Sequence, residues 1–113
     1  VSARDTDPRG LALLDAKGEA AGTIRDLWID RGEMTFRYLE AEIAGGRRVL
    51  VPMPFASVAR GGVTVDALYA NQFAGVPATR ATDRVTLLEE ERITAYYGAG
   101  TLYADPSRAE SMV

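Results

Sequence analysis

The sequence predicts a mostly-β α+β domain, a small antiparallel β-barrel with a C-terminal helix. Turn-forming clusters recur at short intervals through the first two thirds, apolar and polar residues alternate between them, and the pattern turns helical after about residue 85. The turns are Asp15-Ala16-Lys17-Gly18, Asp30-Arg31-Gly32-Glu33, Ala44-Gly45-Gly46-Arg47 and Arg60-Gly61-Gly62. Each separates two strand candidates, so the segments Gly10–Leu14, Gly22–Asp30, Thr35–Ile43, Arg47–Val51, Phe55–Ala59 and Gly62–Asp66 read as consecutive hairpins.

Alternation defines the third strand. Leu39, Ala41 and Ile43 point one way, Tyr38, Glu40 and Glu42 the other, which predicts one core face and one wet face. Val49-Leu50-Val51 is continuous and reads as buried on both faces. Pro52 and Pro54 then end the ladder, since neither has a backbone N–H to donate. Beyond Gly62–Asp66, Ala67–Phe73 is expected to make a helical turn that Gly75-Val76-Pro77 terminates. Thr86 and Glu89 have capping-box spacing, and Glu89, Glu90 and Glu91 suit the positive end of a helix dipole. A helix over Leu87–Tyr97 follows, with Ile93, Tyr96 and Tyr97 as its apolar stripe, Leu88 or Glu89 as the preceding neighbour, and Gly98 and Gly100 weakening its end. The organisation expected is one domain over residues 1–113, with the barrel at about 10–77, the helical segment at 85–104 and a tail at 105–113.

At 113 residues the chain has room for one modest core that buries about 65% of the unfolded surface. Neither Cys nor His is present, which removes thiol nucleophiles, disulfides, the usual zinc ligand sets and a Ser-His-Asp triad. Proton chemistry is left to carboxylates, tyrosines and water, and no catalytic residue is expected. A net charge of -3 argues against a nucleic-acid partner. No stretch approaches the ~20 apolar residues that cross a bilayer, so the chain as given reads as soluble. Its start, Val1-Ser2-Ala3-Arg4-Asp5, lacks an initiator Met and suggests processing or excision from something longer.

The densest polar constellation is Asp26, Asp30, Glu33 and Arg37, around the turn between the second and third strands. With Arg31-Gly32 as the connection, Asp30 and Glu33 lie on facing strand ends. Two neighbouring carboxylates raise the proton affinity of at least one, which suits a proton relay. The plainer reading is a set of solvated turn residues paired loosely with Arg31 and Arg37. Glu89-Glu90-Glu91 reads as structural rather than metal-binding, because successive helix positions point in different directions. Of Trp28 and Tyr38, one is a candidate for a partner interface, with core packing as the alternative.

The strings Gly22-Thr23-Ile24-Arg25-Asp26-Leu27-Trp28-Ile29-Asp30, Arg37-Tyr38-Leu39-Glu40 and Leu50-Val51-Pro52-Met53 resemble the PRC-barrel domain of the H subunit of purple-bacterial photosynthetic reaction centres. Asn71-Gln72-Phe73-Ala74-Gly75-Val76-Pro77, Val85-Thr86-Leu87-Leu88-Glu89-Glu90-Glu91 and the run from Ala95 to Ala104 extend the likeness over nearly the whole chain. The resemblance implies a non-catalytic cap on the L and M subunits, on the cytoplasmic side of the inner membrane. Those partners carry the bacteriochlorophylls, quinones and iron, and this chain would hold no cofactor or metal. It would stabilise the complex and help conduct protons to the secondary quinone during light-driven electron transport. The family's relay glutamate falls at Glu33, its associated aspartate at Asp30 and the nearby arginine at Arg37. The family also has an N-terminal membrane helix and a histidine-bearing segment before the barrel; neither is matched here, so membrane association would come through partners or through a missing N-terminal helix. A second resemblance, to the barrel of the ribosome maturation factor, implies instead a free-standing adaptor that binds protein without moving protons.

Overall fold

The computed structural model describes residues 7–30 and 35–103, with the backbone alone for 30, 35, 36 and 100–103. Among the described residues six strands, β1 (Ala12–Leu14), β2 (Ala20–Asp30), β3 (Thr35–Ile43), β4 (Arg48–Pro52), β5 (Ser57–Ala59) and β6 (Gly62–Thr64), are followed by one α-helix, α1 (Leu87–Tyr103). They form a single sheet in the order β4-β3-β2-β1-β6-β5. The mostly-β class with a C-terminal helix is as expected.

The closed antiparallel barrel is not. β1 and β6 pair in parallel, Leu13 beside Val63 and Leu14 beside Thr64, while the other ladders are antiparallel. The sheet ends at β4 on one side and β5 on the other. Pro52 and Pro54 explain the opening. Pro52 ends β4 and Pro54 lies within the 3-10 turn Met53–Phe55, which swings the chain out of the ladder before β5 begins. For the same reason β5 starts at Ser57 rather than at Phe55.

β3 spans the residues that the alternation indicated, with Leu39 and Ala41 at 0% exposure and Ile43 at 8%. Its opposite face is not uniformly wet, because Tyr38 is buried there. Val49, Leu50 and Val51 are all buried, in keeping with a strand covered on both faces. The core joins Leu13, Ile24, Leu39, Val51, Val63 and Leu68 to Phe73, Ile93 and Tyr97.

Helix α1 begins at its capping box. The Thr86 N–H donates to Glu89 Oε1 at 2.9 Å and the Glu89 N–H donates to Thr86 Oγ1 at 3.1 Å. Ile93 and Tyr97 are fully buried with Tyr96 partly so, and Glu89 rather than Leu88 continues the inward stripe, Leu88 being 55% exposed. The helix runs past Tyr97 to Tyr103 because Gly98 keeps a helical backbone instead of the positive φ that caps a helix. An interior glycine costs only about 1 kcal/mol relative to Ala, less than the burial of one large aromatic contributes. The Tyr96 hydroxyl donates to the Gln72 carbonyl at 2.6 Å and the Tyr97 hydroxyl to the Leu50 carbonyl at 2.8 Å, so the helix is tied both to the 3-10 turn Ala70–Gly75 and to the outer edge of β4. The tail expected at 105–113 lies outside the described residues.

Candidate functional site

β2 and β3 are the longest strands, 11 and 9 residues, and their far end carries the connection to which sequence reasoning assigned the relay. Glu33 and the side chain of Asp30 lie outside the described residues. The Asp30 backbone closes β2 opposite Thr35. Arg37 is the one member of the expected trio whose side chain is described, and its surroundings show why it stands where it does.

The pairing register shifts between Trp28, opposite Tyr38, and Ile29, opposite Phe36. Arg37 is the extra residue of this bulge. Strict alternation would aim it at the core with Leu39 and Ala41; the bulge takes it out of that sequence and re-aims it. Its guanidinium meets α1 instead, where Arg37 Nη2 donates to Glu90 Oε2 at 2.5 Å. The pair links residues 53 positions apart. Desolvation raises the Tyr38 phenol above its ordinary value; the nearby Glu90 charge adds to the shift and Arg37 opposes it.

The Trp28 and Tyr38 rings pack edge to face at 6.3 Å and 79°. Trp28 Nε1 donates to Glu40 Oε1 at 2.8 Å, and Glu40 Oε2 accepts from Arg48 at 2.8 Å. Of the two interface candidates, Tyr38 is therefore buried, and Trp28 is partly covered with its indole N–H satisfied. Asp26, the fourth member of the sequence constellation, is exposed and accepts the Leu27 N–H at 2.8 Å. A hollow of about 300 Å³ runs between Trp28, Ile29, Arg37 and Tyr38 of the hairpin and Val85 and Glu90 beyond it. Ile29 is 47% exposed at this end, and Leu87 and Leu88 of α1 are 74% and 55% exposed. Among the described residues no cluster of acidic side chains is arranged to hold a metal ion.

Sequence reasoning missed two features. One is Glu90, read as a dipole-favoured surface acid and found paired across the fold. The other is Asp15, read as a turn former and found 1% exposed. Asp15 Oδ1 accepts the N–H groups of Lys17 and Glu19 at 2.9 and 2.8 Å, and Oδ2 accepts that of Ala70 at 2.8 Å. Desolvation pushes its carboxyl up, but the backbone donors and Lys17 outweigh that, and the net shift is downward. The available signal was Asp15 three positions before Gly18, whose φ of 82° is that of a tight turn, the setting in which an Asp side chain bonds nearby backbone.

Residues 2–72 match the PRC-barrel domain family, more than half of the chain. The chain belongs to the PRC-barrel family. PRC-barrel domains are generally non-catalytic, and membership is consistent with a protein-binding adaptor. Within this PRC-barrel the match covers all six strands, whereas α1 follows it in sequence. No helix among the described residues of the PRC-barrel protein is long and apolar enough to cross a membrane.

Proposed function

We propose that this PRC-barrel is the cytoplasmic domain of an H-type subunit of a photosynthetic reaction centre. In this reading it caps the L and M subunits at the cytoplasmic side of the inner membrane, stabilises them, and helps protons reach the secondary quinone. The cofactors, bacteriochlorophyll, quinones and iron, belong to those partners. The observation that carries the reading is the union of two stretches that resemble that subunit. The barrel strings and the later helical run are distant in sequence, and Arg37 of one is bonded to Glu90 of the other.

Glu33 is the proton-carrying group in this reading, with Asp30 and Arg37 as its neighbours. A carboxylate covered by partner subunits loses solvation and gains proton affinity; a nearby guanidinium moves it back toward ionisation. The balance leaves a group able to accept and release protons near neutral pH. The exposed Ile29 supplies apolar surface at the same end of the hairpin.

The test is to add the chain to reaction-centre L-M core depleted of its H subunit and to follow proton uptake at the secondary quinone after flashes. Binding, with uptake slowed by Glu33→Gln, supports the relay. Binding with unchanged uptake leaves a structural cap. Failure to bind favours the free-standing adaptor, which needs no membrane partner.

A further inference from the structure

Two cations of this acidic chain share a recess in which no anion answers them. Among the described residues, Arg9, Arg25, Arg37 and Arg48 pair with carboxylates, and Arg47 donates to the Ala74 and Val76 carbonyls. The guanidiniums of Arg80 and Arg92 have no hydrogen-bond or salt-bridge partner among them. Both line one hollow of about 430 Å³, between residues 77–80 and the first turns of α1. We propose that this hollow is a docking site for an extended acidic segment of a partner protein, with a carboxylate gripped by Arg80 and Arg92 and a neighbouring apolar side chain laid on Leu88. The inference goes beyond the reading above, since it needs neither proton transfer nor an L-M core and does not involve the hollow beside Tyr38.

The walls of the hollow are fastened together without using either guanidinium. The Arg80 N–H donates to Glu89 Oε2 at 2.8 Å, and the Thr79 hydroxyl donates to the Ala81 carbonyl at 2.8 Å. Glu89 is the one carboxylate in the lining, and its two oxygens already accept the N–H groups of Arg80 and Thr86. Those backbone donors, helped by the Thr86 hydroxyl and the Arg80 charge, hold its carboxyl below the ordinary value. The anion is committed to the cap, which leaves the guanidiniums available to another. Leu88, more than half exposed, lines the same hollow with half-buried Pro77, so charge stands beside apolar surface. A smaller hollow of about 240 Å³ shares Arg80, Thr86 and Glu89 and adds the cation of Arg84.

The chemistry of the lining selects the occupant. A guanidinium presents a planar fork of donors that matches a carboxylate two bonds at a time. A phosphate at a helix start would need free N–H groups, but the Glu89 N–H donates to Thr86 Oγ1 and the Glu90 N–H to the Thr86 carbonyl. The acids of the first turn, Glu89 and Glu90, also oppose a dianion. An anionic membrane calls for a broad excess of basic side chains, whereas Asp83 and the Glu89-Glu90-Glu91 run lie among these arginines in sequence. A recess accepts what projects into it. An Asp or Glu side chain on an extended segment reaches the two cations, and its apolar neighbour covers Leu88. Because the walls are already fastened, little ordering is left for binding to bring about.

The experiment titrates the full isotope-labelled chain with an acetylated, amidated tetrapeptide of sequence Leu-Glu-Asp-Leu and follows the amide signals by NMR. The isosteric Leu-Gln-Asn-Leu peptide, inorganic phosphate, and vesicles of phosphatidylglycerol with phosphatidylcholine are the comparison probes. Saturable shifts confined to residues 78–80 and 86–92 are expected with the acidic peptide and none with its amide counterpart. Arg80→Gln and Arg92→Gln are each expected to weaken binding about five- to tenfold, and Arg92→Lys by less, since it keeps the charge and loses the fork. Leu88→Ser is expected to weaken it about threefold, and the exposed control Arg60→Gln to match wild type. Neither guanidinium is bonded within the described fold, so the arginine variants should keep the wild-type thermal midpoint and amide dispersion. Equal binding of the two peptides, or no saturable shift up to about 10 mM, overturns the proposal. So does tighter binding of phosphate than of peptide at the same amides, which would make the hollow a phosphate site. Co-sedimentation with vesicles that both arginine substitutions abolish, without peptide binding, would overturn it in favour of a membrane surface.

Discussion

At one end of β2, Asp15 is sealed from solvent and receives three backbone N–H groups; at the other, Glu90 meets Arg37 in an ion pair that water can reach. A carboxylate whose charge is met by rigid backbone donors has no alternative partner, and losing it strands three N–H groups at once. A half-exposed ion pair can exchange either member for water at little cost. The first arrangement fastens the fold, joining the β1–β2 turn to a residue 55 positions away. The second leaves a charge that can answer to its surroundings, as a proton-handling or docking end requires.

The contrast can be broken most forcefully at Asp15. Asp15→Ala is expected to cost about 3 kcal/mol or more in urea unfolding, because buried donors lose a charged acceptor. Its native pKa is depressed, so its contribution is present in full above the ordinary carboxylate range and disappears as the pH falls through the lower native value. Unfolding midpoints followed down from pH 6 should therefore fall for wild type and fall less for Asp15→Asn, which starts lower.

Gly22→Ala comes next. A Cβ there would lie 2.3 Å from the Glu42 carbonyl oxygen, backbone against backbone, within the β2–β3 ladder. A loss of about 2–3 kcal/mol is expected, with a shift in the strand amide signals in NMR spectra. Tyr97→Phe keeps the buried ring, which stacks on Phe55 at 5.5 Å, but removes the donor to the Leu50 carbonyl. About 1 kcal/mol is expected, read from the thermal midpoint.

The smallest effect on stability is predicted where the largest effect on function is proposed. A double-mutant cycle on Arg37 and Glu90 should give a coupling of about 0.2–1 kcal/mol that shrinks as salt is added. A salt-insensitive coupling of several kcal/mol would remove the distinction between the two ends of β2.

The contrast also marks what the residues disclosed before the fold was known. The limits of β3 and the start of α1 were legible because each is set locally, by Leu39, Ala41 and Ile43 in alternation and by Thr86 with Glu89. The depth of Asp15 was not legible, since it depends on Ala70 arriving from the far side of the sheet. Parallel pairing of β1 with β6 was hidden for the same reason, Leu13 and Val63 being 50 positions apart. Arg37 could be recognised as a charge near the hairpin end, but its partner depends on a bulge and on the rotation of a helix, neither of which period-2 patterning records. Turn glycines suggested a closed barrel because they report hairpins and say nothing of whether the last strand finds the first.

Tyr97 bears on a hazard that every open sheet faces. Val49-Leu50-Val51 is a short, uncharged, strongly β-forming run on the terminal strand β4, the sort of border onto which a second chain can add itself. The tyrosine hydroxyl occupies the Leu50 carbonyl and the helix lies alongside. Loosening of α1 would uncover that border, so conditions that detach the helix while sparing the sheet should leave the domain prone to fibrillar self-assembly.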